Sequence, residues 1–130
     1  MIYRSKAPLR IGLAGGGTDV SPYCDQYGGA ILNATISLYA HASIEILEEP
    51  IIVLEAFDRN ETETFEWSNV LPLNGTLDLL KGVYNRIQQD YPFQKKGLKL
   101  STFVDAPAGS GLGTSSTLVV AVLGAFVELL

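Results

Sequence analysis

The stretch that most constrains this chain is VDAPAGSGLGTSSTLVV, residues 104–120. An apolar strand-like run ends at Val104, Pro107 turns the chain, and Gly109, Gly111 and Gly113 alternate through a loop. Thr114, Ser115, Ser116 and Thr117 then open an apolar helix. Each part has a physical use. Glycines reach positive φ and let a ligand approach the backbone closely. A helix start adds unsatisfied N–H donors and the positive end of its dipole. Hydroxyls there can cap the helix, contact phosphate oxygens or join a Mg²⁺ shell. Together they make an anion seat suited to a polyphosphate. A plain strand-to-helix turn capped by Ser/Thr is the simpler alternative, but three glycines and four hydroxyls exceed what a cap needs. The spacing is neither a Walker A loop, since no lysine follows Gly113, nor a G-x-G-x-x-G fingerprint.

The helix opened by this loop continues into LVVAVLGAFVELL (118–130), thirteen residues with one charge, Glu128. A membrane span needs about 20 residues, so the run reads as a buried helix and no membrane partner is expected. A helix apolar on nearly every side must be covered on nearly every side. No Gly or Pro stop signal follows. The expectation is therefore a front portion of a longer protein, with self-association through this helix when it stands alone. The alternative is a complete small domain whose last helix lies in an oligomer interface.

Taken whole, the chain's 130 residues, 47% of them apolar, suffice for one domain with a real core. The net charge of −5 and the lack of a basic stripe argue against a nucleic-acid partner. The QKK run at 94–96 reads as a solvated loop. Cys24 is the only cysteine and His41 the only histidine, so disulfides and Cys/His metal sites are not expected. His41 reads as a sheet-face residue. No apolar leader follows Met1.

Extended runs are expected at 2–14, 30–47 (one strand, or two broken near Asn33), 51–57, 63–67 and 97–107. In the last, Leu98, Leu100, Thr102 and Val104 share a face. Pro8 restricts its strand to a start or an edge. Leu77, Leu80, Val83, Tyr84, Ile87 and Tyr91 recur at helical spacing over 74–92, with Thr76 as the expected N-cap and Pro92 as a stop. Gly82 weakens that helix by about 1 kcal/mol. Strands followed by helix, strand and helix imply an α+β domain, its sheet mixed or mostly antiparallel and its helices on one face.

A second glycine loop, RIGLAGGGTD (10–19), is followed by VSPYCDQYGG, where Pro22 and Gly28-Gly29 leave room only for a short helix near 21–27. A dinucleotide fold needs a long helix there, so that reading fails. What remains is a tight turn presenting Thr18 and Asp19, with Arg10 on the strand before it. Carboxylate, guanidinium and bare glycine backbone suit a polyol.

Both loops resemble motifs of the GHMP small-molecule kinases. APLRIGLAGGGTDV (7–20) is similar to the family's N-terminal substrate motif, and PAGSGLGTSST (107–117) to its phosphate-binding motif, about 90 residues later. The resemblance extends over the whole chain as the family's N-terminal domain. It implies a ribosomal protein S5 domain 2-like α+β fold with a left-handed β-α-β unit, and ATP and Mg²⁺ as cofactors. Pro107, Gly109, Ser110, Gly111, Leu112, Gly113, Thr114, Ser115 and Ser116 would hold the ATP phosphates, with Ser115 on Mg²⁺. Gly16, Gly17, Thr18 and Asp19 would meet the sugar. Arg10 would contact substrate or brace the loop by pairing with Asp19.

Where galactokinases carry Gly-Glu-His-Thr-Asp, this chain has Gly15-Gly16-Gly17-Thr18-Asp19, a version similar to that of D-glycero-D-manno-heptose 7-phosphate kinases and fucokinase-type enzymes. A sugar or sugar phosphate is the implied substrate, phosphorylated at the anomeric hydroxyl in a bacterial cytoplasm. Arg4, Lys6 or Arg10 would grip a substrate phosphate, or that role falls to residues of the parent protein outside these 130. The family's catalytic aspartate and second Mg²⁺ carboxylate lie later in the chain than residue 130, so this chain alone is expected to turn over poorly or not at all. The competing reading is a non-catalytic module of the same fold that binds a phosphorylated ligand or a protein.

Overall fold

A computed structural model describes residues 1–92 and 96–130; Gln94 and Lys95 of the QKK run lie outside the described residues. Five strands form one mixed sheet: β1 Ile2–Ala14, β2 Leu32–Leu47, β3 Ile51–Ala56, β4 Glu61–Glu66 and β5 Gly97–Val104. Their order is β1-β2-β5-β3-β4, with β3 and β5 parallel and every other pair antiparallel. Three helices accompany them, the short α1 Tyr23–Tyr27, α2 Asp78–Asp90 and α3 Thr114–Leu129, and a 3₁₀ turn spans Phe57–Arg59.

Alternation along the strands dictates which face is covered. Leu98, Leu100, Thr102 and Val104 are all buried, as are Ala40, Ala42 and Ile44 on β2 and Ile52, Leu54 and Ala56 on β3. These residues point toward α2 and α3, which lie on that one face and complete the core through Leu80, Tyr84, Ala121, Val122, Ala125 and Phe126. Pro8 sits in edge strand β1, where its missing N–H breaks no ladder on the outer side, and the β1–β2 register shifts just after it. Asn33 does not interrupt β2; it pairs with Gly12 and the strand runs unbroken for 16 residues.

Helix α2 departs from expectation at both ends. Thr76 is not its N-cap. That position is Leu77, in the left-handed region at φ 51° and with no side-chain cap. The turn before it is held instead by Asp78, whose carboxylate accepts the N–H groups of Asn74 (3.0 Å) and Gly75 (2.9 Å). This geometry turns Leu77 into the core, where it is 3% exposed, and delays the helix by one residue. At the other end Tyr91 lies beyond Asp90 and is 61% exposed, so it leaves the buried stripe.

The periodicity also omits Lys81, which is fully buried. Its ammonium lies 2.6 Å from Glu63 Oε2 and donates to Asn74 Oδ1 at 2.6 Å, with the Phe65 ring beneath it. Helix α3 is buried along Thr117, Ala121, Val122, Ala125 and Phe126 but leaves Val120, Leu123, Val127 and Leu130 exposed. The expectation of cover on nearly every side therefore fails within this chain. Packing against the sheet and α2 encloses only one stripe of the helix.

Two carboxylates make the fold acid-sensitive. The hydrogen bond from Lys99 holds Glu55 below the usual carboxylate range, against the opposing effect of burial. Lys81 does the same for Glu63, again against burial, with help from Asn74. A carboxyl depressed in the folded state contributes stability that is present above its unfolded value, near 4.5, and lost as pH falls through the folded one. Urea midpoints are therefore expected to hold steady near neutrality and to drop on acidification below about pH 4.5. Lys81→Met should remove only the share of this drop that comes from Glu63.

Candidate functional site

The two glycine loops leave the sheet from the C-terminal ends of β1 and β5, the two strands that flank β2. The first begins where β1 ends at Ala14. Gly15 and Gly17 take φ of 78° and 86°. The Thr18 hydroxyl donates to Gly15 O at 2.7 Å and accepts the Ala30 N–H at 3.1 Å, so it fastens the loop to the start of β2. That hydroxyl, expected to face a sugar, is engaged inside the loop. The Asp19 side chain is exposed, and among the described residues it has no hydrogen-bond or ion-pair partner.

The second loop begins at the end of β5. Asp105 is clamped to β2 twice: its N–H donates to Tyr39 O at 2.9 Å, and its Oδ2 accepts the Tyr39 N–H at 2.8 Å. His41 Nε2 lies 3.4 Å from the same oxygen, on the sheet face as expected. From this anchor the chain runs through Pro107, whose carbonyl accepts the Ser110 N–H at 3.3 Å. Gly109, Gly111 and Gly113 then follow at φ 79°, 75° and 70°. A Cβ on Gly109 or Gly111 would meet nothing within 4 Å, so these positions need glycine for backbone conformation and leave the space beside them open.

Gly113 is the N-cap residue of α3, and no side chain caps the helix. A Ser/Thr-capped turn would have used a hydroxyl there. Instead Ser116 Oγ donates to Gly113 O at 3.1 Å, Thr117 is buried, and Ser115 stands exposed. The first-turn N–H groups therefore remain open as donors at the positive end of a 16-residue helix.

Arg10 ties strand β1 to the second loop. Its N–H donates to Leu112 O at 3.2 Å, and its Nη1 donates to Ser116 Oγ at 3.1 Å. The guanidinium lies so close to Gly113 that a Cβ there would sit 2.5 Å from Nη1. Among the described residues no ion pair joins Arg10 to Asp19. Arg10 braces the second loop rather than the first. Arg4 and Lys6 lie on the uncovered face of the sheet, paired in register with Ser43 and His41, and do not join the loops.

Sequence reasoning missed one wall of the site. Asp58 and Arg59, on the 3₁₀ turn after β3, line a cleft with Thr114 and Ser115, and Leu79 and Leu118 make its apolar sides. The available signal was the charged FDRN turn following a buried strand. For a divalent cation the chain offers Ser115 with Asp58 across the cleft; no cluster of three or more His, Cys, Asp or Glu occurs among the described residues. That sparse donor set fits Mg²⁺, which keeps waters and takes most of its other ligands from substrate phosphates.

Residues 78–130 match the family model "GHMP kinases N terminal domain". The chain is 48% identical over 125 residues to D-glycero-alpha-D-manno-heptose 7-phosphate kinase of Campylobacter jejuni, covering 96% of this chain and 37% of that protein. It superposes on the crystal structure of a D-glycero-D-manno-heptose 1-phosphate kinase from Bacteroides thetaiotaomicron with a TM-score of 0.92 and 54% identity, over 99% of this chain and 42% of that one. Mevalonate kinase of Methanococcus jannaschii shares the fold alone, with a TM-score of 0.80 and 20% identity over 99% of this chain and 40% of that one. The chain thus spans about two-fifths of the length of these relatives. Its fold is the mixed α+β, S5-like architecture of the GHMP kinases, and over residues 78–130 the chain matches that family's N-terminal domain.

Proposed function

We propose that the protein is an ATP-dependent sugar kinase acting on a heptose phosphate, and that this chain supplies its phosphate seat and its sugar-facing loop. The observation that carries the reading is the uncapped start of α3, where three left-handed glycines open the backbone and no side chain takes the donors. Phosphoryl transfer depends on positioning and charge neutralisation, and an array of fixed N–H groups at a helix N-terminus supplies both without reorganising. The heptose assignment is supported by the names of the relatives and by the GGGTD form of the first loop.

In this reading the loop from Pro107 to Ser116 cradles the nucleotide phosphates, and the Leu79/Leu118 cleft receives the apolar part of the nucleotide. Bound Mg²⁺ would neutralise charge between the phosphates; Ser115 is the residue here that would hold it. Asp19 accepts hydroxyl protons of the sugar, beside the bare backbone of Gly16 and Gly17. Thr18 holds that loop in shape. Arg10 keeps the two loops in register, so that the sugar hydroxyl, anomeric in this proposal, and the terminal phosphate meet. The group that takes the hydroxyl proton is not assigned to these 130 residues, and the chain alone should produce little or no ADP. A kinase fed by ATP belongs in the cytoplasm, and no helix among the described residues is long and apolar enough to cross a membrane.

Titration with Mg·ATP, followed by backbone amide NMR, tests the seat. Shifts concentrated at residues 109–116 are expected. Ser115→Ala should weaken Mg·ATP affinity about tenfold, the worth of one charge-assisted contact. A well-dispersed spectrum left unmoved by millimolar Mg·ATP would remove the seat from this chain. Equal affinity in Ser115→Ala would remove the serine from the metal shell.

A further inference from the structure

We propose that the uncovered face of the sheet carries a second binding site, for a small phosphorylated compound bearing a ring. Arg4 pairs in register with Ser43 and Ser43 with Ser101, making one cross-strand row. His41 and Phe103 pair in the next row, and Phe57 closes the end from the 3₁₀ turn. These six side chains line one concavity of about 480 Å³, counting its open side. It lies on the face opposite α2 and α3, and none of its lining residues belongs to either glycine loop.

Charge and ring chemistry select the ligand. The carboxylates nearest the pocket are already matched: Glu55 contacts Lys99 at 2.8 Å and accepts from Ser101, and Asp105 accepts the Tyr39 N–H and faces His41. Glu45 sits in the row beyond Arg4 and does not line the pocket. Lys6 rests over the Tyr39 ring. The Arg4 guanidinium has no hydrogen-bond or ion-pair partner among the described residues, and it borders the concavity. A planar guanidinium left open in this way matches a phosphate in two-point fashion. Phe57 and Phe103 are 60% and 44% exposed, and His41 lies 6.3 Å from Phe103 between ring centroids. Aromatic faces exposed beside a free cation suit the flat side of a nucleobase or a sugar ring. Ser43 and Ser101 also line the pocket; the Ser101 hydroxyl, which donates to Glu55, remains able to accept from a ring hydroxyl.

His41, the only histidine, makes the site observable, because its imidazole signals are unique in the chain and it lines this pocket; its contact with Asp105 makes the Ser115→Ala control necessary. At constant pH, AMP should move those signals with half-saturation at about 1 mM or below, the range of one ion pair plus one stacking contact. The shift should vanish in Arg4→Gln and survive in Ser115→Ala, whose effect belongs to the other site. Arg4 is exposed on an edge strand, so unchanged amide dispersion in Arg4→Gln would verify its fold. Ribose 5-phosphate matching AMP would assign the site to sugar phosphates; AMP acting alone would assign it to nucleotides. The proposal is overturned if millimolar AMP leaves His41 unmoved, if Arg4→Gln shows the full shift, or if inorganic phosphate alone reproduces it. Failure of Mg·ATP to shift residues 109–116 would leave this proposal standing, so the two readings fail separately.

Discussion

Replacing Gly15 by alanine is expected to lower the unfolding free energy by about 2–3 kcal/mol, whereas alanine at Gly16 leaves it unchanged or raises it slightly. The two positions are neighbours in the same loop, yet they differ in both quantities that matter. Gly15 has φ 78°, where an L side chain costs about 1–2 kcal/mol. Its added Cβ would also fall 1.9 Å from Ala30 O, a backbone atom that cannot swing aside. Relieving that overlap separates the loop from the start of β2. The bond from the Ala30 N–H to the Thr18 hydroxyl then goes with it. Gly16 lies outside the left-handed region, and its Cβ would meet nothing within 4 Å. Alanine there restricts chiefly the unfolded chain, worth about 0.4–1 kcal/mol in favour of folding. Urea unfolding of both variants measures the difference, and amide exchange at Ala30 shows whether the loss is local to the loop. Equal stability in the two variants would mean that the loop is not held against β2 as described.

The same loop shows how far a sequence can be read. Strict alternation over 98–104 carries the central strand, because a sheet covered on one face demands it. The alternating glycines of the second loop are equally legible, since a positive φ at every second residue leaves glycine as the ready choice. What escapes is whatever depends on a partner far along the chain. Arg10 and Ser116 are 106 residues apart, and nothing local to either announces their bond. Arg59 reaches the cleft only because β3 ends beside β5. Thr18 looks like a ligand contact in isolation, but its hydroxyl answers to Ala30, 12 residues on. Thr76 has the right chemistry for a cap and loses to Asp78, which ties down two N–H groups where a cap serves one. Lys81 breaks the apolar stripe of α2 because its counter-charge comes from another element, β4.

That last exception gives an asymmetric pair of mutants. Glu63→Leu is expected to destabilise the chain by about 3 kcal/mol, and Lys81→Met by about 1 kcal/mol or less. The Lys81 side chain is 0% exposed and that of Glu63 20%. Removing the carboxylate strands a fully buried ammonium with Asn74 and with Asp78 at 3.7 Å, while leucine's similar volume keeps water from replacing the lost oxygen. Removing the ammonium leaves a carboxylate that still reaches solvent and still accepts from Asn74 Nδ2 at 3.2 Å, while methionine fills the space over the Phe65 ring. Breaking the pair from its more buried side is the gentler change because Glu63 keeps Asn74 and a partly exposed side chain, although its Oε2 is itself buried and must turn or take a proton. Urea unfolding at neutral pH measures both, and their difference should shrink as pH falls below about 4.5 and on through the depressed range in which Glu63 takes up its proton in the folded parent chain and no longer offsets the ammonium. The consequence extends to the cleft, because Asp78 and Leu79 open helix α2 and Leu79 lines the wall beside Ser115. Glu63→Leu should therefore also weaken Mg·ATP binding under conditions where the chain remains folded, while Lys81→Met should leave it close to the parent value. Equal losses of stability in the two variants would mean that the ammonium is already hydrated, and the link from β4 to the cleft would fall with it.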